Sequence, residues 1–167
     1  MKSLVLMLIA IVVFTGCSKK SEEEYLKTAE DNLKKNKFQE AVTDFEGLVT
    51  EYPESEKAPD VLTKLASIYQ NKLLNNIDEH TSLEKAASYY KKVFDEYPNS
   101  LQAPASLFLS GFIHANELKN YKQAEVTYNL FLQKFPSHEL AASAREELNN
   151  LGLSPEEILK NKNEPNI

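Results

Sequence analysis

The chain has 167 residues, of which 42% are hydrophobic and 26% are charged, with a formal net charge of −6. This length suits one domain with a sizeable core, and the presence of only four glycines and no tryptophan disfavours a turn-rich β architecture. The acidic balance excludes nucleic acid as an expected partner, because phosphate binding needs a clustered basic surface.

The first sixteen residues predict a signal peptide. A basic start at Lys2 precedes an unbroken apolar run from Leu4 to Phe14, which is shorter than the roughly 20 residues that a helix needs to span a bilayer. The run ends in Phe-Thr-Gly-Cys, residues 14–17, which resembles a bacterial lipobox. The resemblance implies cleavage after residue 16 and acylation of Cys17, so that a lipid anchor attaches the chain to a membrane.

Two alternatives remain open for this segment. An ordinary secretory signal could be cleaved nearby, leaving Cys17 as a free thiol, or the segment could stay as an uncleaved anchor. Acylation is favoured because a lone cysteine has no disulfide partner in an exported protein. Ser18 follows the cysteine, which resembles lipoproteins released to the outer membrane. We therefore expect the bacterial cell envelope, with the chain anchored to the outer membrane and facing the periplasm.

A helical domain is predicted over residues 21–160. Residues 17–20 precede it as the lipidated N-terminus and a short tether, which would hold the domain close to the lipid surface. Ser21 is a good helix-capping residue, and the three glutamates that follow it favour a helix start. This first helix is predicted to run to about Asn36.

A repeated motif organises the domain. Tyr-Pro-x-Ser-x-x-Ala-Pro occurs at residues 52–59 and 97–104, and a degenerate copy begins at Phe135. The same apolar pattern with a helical period precedes each copy, and each proline ends that helix because the residue before a proline avoids helical geometry. The motif therefore predicts a stack of helical hairpins. The predicted helices after the first are Phe38 to Tyr52, Glu56 to Lys72, Leu83 to Tyr97, Leu101 to Lys119, Tyr121 to Phe135 and Glu139 to Asn150, with Ser55, Ser100 and Ser137 at the helix starts.

Small and aromatic residues recur at fixed distances from these prolines. An alanine precedes each proline by twelve residues, an aromatic residue follows that alanine by four, and a small residue follows each of the first two prolines by thirteen. These residues are Ala41, Ala86 and Ala124, then Phe45, Tyr90 and Tyr128, then Ala66 and Gly111. The spacing resembles the tetratricopeptide repeat (TPR) signature. The resemblance implies an all-α, TPR-type superhelix of about three helical hairpins plus a C-terminal capping helix.

The repeats are longer than the usual length of about 34 residues, with 45 residues from Pro53 to Pro98 and 38 from Pro98 to Pro136. Part of the extra length lies in the motif that leads into the next helix. This extension resembles TPR proteins of the bacterial envelope, namely the BamD-like lipoproteins of outer-membrane protein assembly and the TPR part of the Tol-Pal coordinator. The resemblance implies envelope or outer-membrane proteins as partners.

Two segments depart from the repeat. The insertion from Asn71 to Ser82 is interpreted as one more helical turn plus a loop, with a contact role as the alternative because the insertion is unusually apolar. At the other end, Arg145 and Asn149 replace apolar residues, which predicts the polar outer face of a terminal cap. A short helix is predicted to begin at Ser154 over this cap, followed by a disordered tail over residues 161–167.

The sequence contains no recognised catalytic pattern. His80, His114 and His138 lack metal-ligand spacing, and His114 is interpreted as a packed or groove-lining side chain. There is no nucleophile elbow, phosphate-binding loop or pair of inward-facing carboxylates. We therefore expect no enzyme activity, no cofactor and no metal site.

The first helix of each hairpin is expected to line a concave groove that binds segments of other proteins. Register with TPR proteins predicts groove residues that run from an acidic end to an aromatic patch. They are Glu23, Leu26, Glu30, Asp60, Thr63, Ser67, Gln70, Phe108, Phe112 and Asn116. In an alternative interpretation, Phe108 and Phe112 pack against the C-terminal cap.

Three functions remain open at this stage. The first is a lipid-anchored scaffold for protein–protein interactions, in outer-membrane protein assembly or in Tol-Pal-like envelope maintenance. The second is a carrier that holds a small ligand or a peptidoglycan fragment in the groove. The third is a subunit that supports an enzyme.

Overall fold

The computed structural model describes residues 19–163, so Cys17, the predicted signal peptide and residues 164–167 lie outside the described part of the chain. Within this part the predicted all-α architecture is confirmed, and none of the helices is both long and apolar enough to cross a bilayer. The helices are α1 (Glu22–Lys34), α2 (Phe38–Glu51), α3 (Ala58–Gln70), α4 (Glu79–Glu96), α5 (Ala103–Phe112), α6 (Tyr121–Lys134), α7 (Ala141–Asn150) and α8 (Pro155–Asn163), with a π-helical turn at Ile113–Glu117 after α5.

Consecutive helices from α1 to α7 pack against each other, so the chain forms three hairpins followed by α7 as a terminal first helix. The apolar residues form two core clusters. The first cluster includes Phe45 and Leu65, and the second includes Leu107 and Tyr128. Helix α4 and the π-helical turn contribute buried residues to both clusters, which joins the three hairpins into one stack.

The small residues of the repeat signature allow helices to approach closely. Ala41, Ala86 and Ala124 are completely buried. The ring of Tyr128 lies against Gly111, where an added Cβ would be 2.9 Å from the nearest ring carbon. A larger side chain at residue 111 would therefore collide with the Tyr128 ring.

The repeated motif forms the same hydrogen-bonded lead into α3, α5 and α7. In the first copy, the backbone nitrogen of Ser55 donates to the carbonyl of Tyr52 at 3.0 Å, and that of Ala58 donates to the carbonyl of Ser55 at 3.0 Å. The other two copies repeat both bonds. Because the lead consists of two successive turns, these three helices begin two residues later than predicted.

His138 replaces the motif serine in the third copy. Its Nδ1 accepts a hydrogen bond from the backbone nitrogen of Leu140 at 3.2 Å, as Ser55 Oγ accepts one from the nitrogen of Lys57 at 3.0 Å. The prediction that placed Ser137 at this helix start is therefore wrong by one residue. An imidazole nitrogen supplies the acceptor instead of a hydroxyl.

The motif tyrosine joins each of the first two hairpins to the segment before it. The hydroxyl of Tyr52 donates to the carbonyl of Lys20 at 2.8 Å, and the hydroxyl of Tyr97 donates to the carbonyl of Pro53 at 2.6 Å. Phe135 occupies this position in the third copy, so the equivalent bond cannot form there. The sequence motif predicted that helices end at these aromatic residues but not that the residues link the hairpins.

We expect Tyr97→Phe to lower the free energy of unfolding by about 1 kcal/mol or less, since one hydrogen bond to a partly solvated carbonyl is lost. Chemical denaturation of residues 19–163 would measure the change. Tyr121→Phe is the matched control because Tyr121 is 42% exposed, and it should leave stability unchanged. Equal losses in both variants would contradict a linking role for Tyr97.

The insertion lengthens α4 and not the helix before it. Helix α3 ends at Gln70, and Asp78 caps α4 by accepting a hydrogen bond from the nitrogen of Thr81 at 2.9 Å. The predicted extra turn after α3 is therefore wrong, because the cap starts α4 four residues before the predicted start at Leu83. Leu74 is only 5% exposed and packs in the first core cluster, so this apolar side chain of the loop serves the core.

The first helix of the third hairpin is interrupted. It was predicted as one helix to Lys119, but α5 ends at Phe112 and a π-helical turn follows. Within this turn the nitrogen of Leu118 donates to the carbonyl of Ile113 at 2.9 Å. The wider turn shifts the direction of the side chains after Gly111 relative to an uninterrupted α-helix.

The C-terminal end has the predicted polar surface. Arg145 and Asn149 are exposed on α7. Ser154 and Glu157 form a reciprocal capping box, with N···O distances of 3.3 and 2.7 Å, that begins α8. Helix α8 continues to Asn163, which is three residues into the segment predicted as a tail.

Lys19 and Lys20, which the sequence placed in the tether, contact the first hairpin. Lys19 Nζ lies 2.5 Å from a carboxylate oxygen of Glu51 and 5.1 Å from the centre of the Tyr52 ring. Lys20 Nζ lies 2.6 Å from Asp44 Oδ1. With the bond from Tyr52 to the backbone of Lys20, these contacts fix the chain where it enters α1. We call this set of contacts the N-terminal clamp.

The buried end of the N-terminal clamp is Asp44, which is 7% exposed. Its second oxygen accepts a hydrogen bond from Asn32 Nδ2 at 3.2 Å. The side chain of Lys20 reaches Asp44 by passing over the ring of Tyr25, at 5.4 Å from its centre. That ring lies against Gly47, where a Cβ would be 2.5 Å from the nearest ring carbon.

Candidate functional site

Side chains from successive first helices meet on one surface, which we call the A-helix face. Lys64 on α3 pairs with Glu30 on α1, at 3.4 Å. Further along, Gln70 Nε2 donates to Glu117 at 2.9 Å, linking α3 to the π-helical turn. Asn116 Nδ2 donates to Glu147 on α7 at 3.1 Å. The structure therefore brings the predicted groove residues Glu30, Gln70 and Asn116 onto one continuous face.

The N-terminal part of the A-helix face is acidic. Glu23, Glu30 and Asp60 are exposed, as predicted for groove residues. Lys64 lies between two of them and also pairs with Asp60 at 3.1 Å. Burial alone would lower the pKa of Lys64, but hydrogen bonds and charge interactions with the two carboxylates outweigh it and raise the pKa. This lysine therefore stays charged and offsets part of the acidic surface.

The middle part of the A-helix face is polar and neutral. Thr63 and Ser67 are half-buried, and Thr63 Oγ1 donates to the carbonyl of Pro59 at 2.9 Å in its own helix. Gln70 is held at both ends, since its Oε1 accepts a hydrogen bond from the hydroxyl of Tyr90 at 3.2 Å. The amide is thus fixed in place by α4 and by the π-helical turn.

The C-terminal part of the A-helix face carries two phenylalanines. Phe108 is half-buried, and its ring centre lies 5.5 Å from that of Tyr128 and 5.9 Å from that of Phe131. Both partners are on α6, and Phe108 packs against the second core cluster, which also includes Ala141 and Ala144 of α7. Phe112 is also half-buried and belongs to neither core cluster.

The ten predicted groove residues divide into two groups. Leu26 and Phe108 pack partly against the core clusters, so each has a structural role in addition to any contact. The other eight are exposed or half-buried outside those clusters.

Sequence reasoning missed Lys64, Glu117 and Glu147. The spacing of Asp60 and Lys64, four residues apart, could have predicted their ion pair on one helix face. The direction of the Glu117 side chain depends on the π-helical turn, which the sequence did not predict.

His114 lies on the π-helical turn beside a cleft of about 470 Å³ that α4 and Gln123 also line. Its Nδ1 is buried without a hydrogen-bond partner among the described residues. Burial lowers the pKa of His114, and the nearby charge of Glu84 only partly opposes this, so the ring is neutral at neutral pH. Within residues 19–163 no three histidine, cysteine or acidic side chains are grouped to hold a metal ion.

A stack of helical hairpins whose first helices share one face defines a helical repeat protein. The chain belongs to the tetratricopeptide repeat family. The family model described as Tetratricopeptide repeat matches residues 25–55, 60–100 and 105–138, which together cover more than half of the chain. Each match coincides with one hairpin. No curated protein sequence shows a significant match to this chain. Repeats of this family are typically non-catalytic scaffolds that mediate protein–protein interactions.

Proposed function

We propose that this chain is a lipid-anchored scaffold of the bacterial cell envelope that binds a segment of a partner protein along the A-helix face. The observation that carries the proposal is the combination of Phe112, a partly exposed aromatic side chain outside both core clusters, with carboxylates and fixed amides on the same face. An aromatic anchor beside polar groups that fix orientation is typical of a protein-binding surface.

The location in the envelope is supported by the sequence of residues 1–17, which resembles a lipoprotein signal. The similarity to BamD-like lipoproteins favours a role in outer-membrane protein assembly, and Tol-Pal-like envelope maintenance is the alternative. In either case, the anchor would keep the scaffold and its partner at the same membrane.

The partner can be trapped by a photo-crosslinking amino acid placed at Ser67, which is half-buried on the A-helix face. We expect irradiated cells to give a discrete adduct with an envelope protein. Phe112→Ala should weaken that adduct about tenfold, because losing an aromatic contact residue costs about 1–2 kcal/mol in binding.

Tyr121→Ala is the matched control, since it removes a partly exposed aromatic side chain from α6, the second helix of its hairpin. It should leave the adduct unchanged. If Phe112→Ala and Tyr121→Ala weaken the adduct equally, the A-helix face is not the binding surface. If instead peptidoglycan fragments raise the melting temperature of residues 19–163 and no adduct forms, the carrier function replaces the scaffold.

A further inference from the structure

The repeated motifs lie along one edge of the stack. The bond from Tyr97 to the carbonyl of Pro53 places the second motif beside the first. A cleft of about 380 Å³ lined by both copies lies between them. We call this the motif edge, formed by residues 52–57, 97–102 and 135–140. The opposite edge, which we call the tip edge, is formed by residues 35–37, 71–77 and 118–120, and a second cleft joins its first two segments.

The N-terminal clamp places the entry of the chain on the motif edge. Tyr52 belongs to the first motif and bonds to the backbone of Lys20, while Lys19 and Lys20 are held by Glu51 and Asp44. The contacts are made by charged side chains, two ring faces and a backbone carbonyl, so this segment does not behave as a free tether. Lys19 is two residues after Cys17, and two residues span at most about 7 Å.

The motif edge also carries the most exposed large apolar side chain of the described residues. Leu101 is 96% exposed. It lies in the second motif, next to Ser100, in the lead into α5. Contact with lipid would remove this apolar side chain from water, which is favourable.

Charge limits the kind of lipid surface that this edge can approach. The motif edge carries one exposed lysine, Lys57, and three exposed glutamates, Glu54, Glu56 and Glu139. Their negative charges would be repelled by anionic headgroups, because a negative surface potential acts over about a Debye length. A zwitterionic surface carries no such penalty.

We propose that the N-terminal clamp orients the repeat stack so that its motif edge faces a zwitterionic lipid surface and its tip edge points away from it. This inference rests on the proposed anchor at Cys17, and it adds a fixed orientation to that anchor. The A-helix face then stands at a side of the stack, open to a partner that approaches along the membrane.

The absence of tryptophan from the sequence makes a direct test possible. Leu101→Trp on the motif edge and Asn75→Trp on the tip edge each give the full-length acylated protein a single tryptophan. Both variants are reconstituted in phosphatidylcholine vesicles with brominated lipid as quencher. We expect at least twofold stronger quenching for Leu101→Trp than for Asn75→Trp, and weaker quenching for Leu101→Trp when one third of the lipid is phosphatidylglycerol.

The clamp is tested by Lys19→Ala with Lys20→Ala in both tryptophan variants. The lysine variants should still float with the vesicles. The ratio of quenching for Leu101→Trp to quenching for Asn75→Trp should fall towards one. Lys27→Ala with Lys122→Ala is the matched control, because it removes the same charge from exposed positions outside the clamp and outside both edges, and the ratio should stay unchanged. Circular dichroism verifies that all variants are folded.

Equal quenching at the two positions in vesicles that float with the protein would overturn the orientation and leave the anchor intact. Stronger quenching at Asn75→Trp would reverse the orientation and also overturn it. If the protein with an unaltered Cys17 does not float with vesicles at all, the anchor fails, and the orientation that depends on it fails too.

Discussion

Replacing Tyr128 by alanine is expected to lower the free energy of unfolding by about 3–5 kcal/mol, which is the usual loss when a large buried aromatic side chain is truncated. Tyr128 is completely buried. It fills the space over Gly111 and contacts the ring of Phe108, so its removal leaves a cavity between α5 and α6. Urea denaturation of residues 19–163 would measure the effect.

Tyr128→Phe separates the ring from its hydroxyl. The hydroxyl is buried without a hydrogen-bond partner of acceptable geometry among the described residues. Burial raises the pKa of Tyr128, and the nearby carboxylate of Glu147 adds to the rise, so the hydroxyl stays protonated. We expect Tyr128→Phe to change stability by less than about 1 kcal/mol. A loss as large as that of the alanine variant would show that the hydroxyl, and not the ring, stabilises the hairpin.

Replacing Cys17 by alanine is expected to move essentially all of the protein from the membrane fraction to the soluble fraction or to leave it as uncleaved precursor. Acyl chains bind the bilayer with about 0.8 kcal/mol per buried methylene, and two chains give stable attachment. Without the thiol no acyl chain can be added. Cell fractionation followed by mass measurement of the N-terminus would detect both the attachment and the cleavage.

The neighbouring variant Ser18→Ala is the control for this experiment, and it should remain acylated and membrane-bound. Each alternative interpretation of the N-terminal segment predicts a different result. An ordinary secretory signal gives a soluble protein even with Cys17 present. An uncleaved anchor keeps the protein in the membrane at precursor mass even with Cys17 present, insensitive to inhibition of lipoprotein signal peptidase.

The sequence predicted the hairpins well because two strong local signals coincide in them. The apolar residues recur with a helical period, and Pro53, Pro98 and Pro136 end the helices independently of tertiary contacts. The helix starts were less accurate, since the motif leads are held by backbone turns that a serine or a histidine can cap equally well. The π-helical turn left no recognisable signal, because it is a change in hydrogen-bond register and not in composition.

The candidate site combines residues that the repeat register predicts with partners that it does not predict. Register predicts Glu30, Gln70 and Asn116 at equivalent positions of the repeats, and each of the three contacts a neighbouring first helix or the π-helical turn. Their hydrogen-bond partners come from the next helix in the stack, and the sequence of one helix does not specify them. The N-terminal clamp was missed for a related reason, because Lys20 and Asp44 are 24 positions apart in the sequence and meet only when α1 packs on α2.

The sharing of α4 and the π-helical turn between the two core clusters constrains how this chain can change during evolution. A deletion that ends within either helix would strip apolar surface from both clusters at once. A gain or loss of one complete unit, from one motif proline to the next, would restore the same contacts at the new junction. Lineages of this protein should therefore differ in length by whole units of about 38 to 45 residues, as the spacing of Pro53, Pro98 and Pro136 sets it.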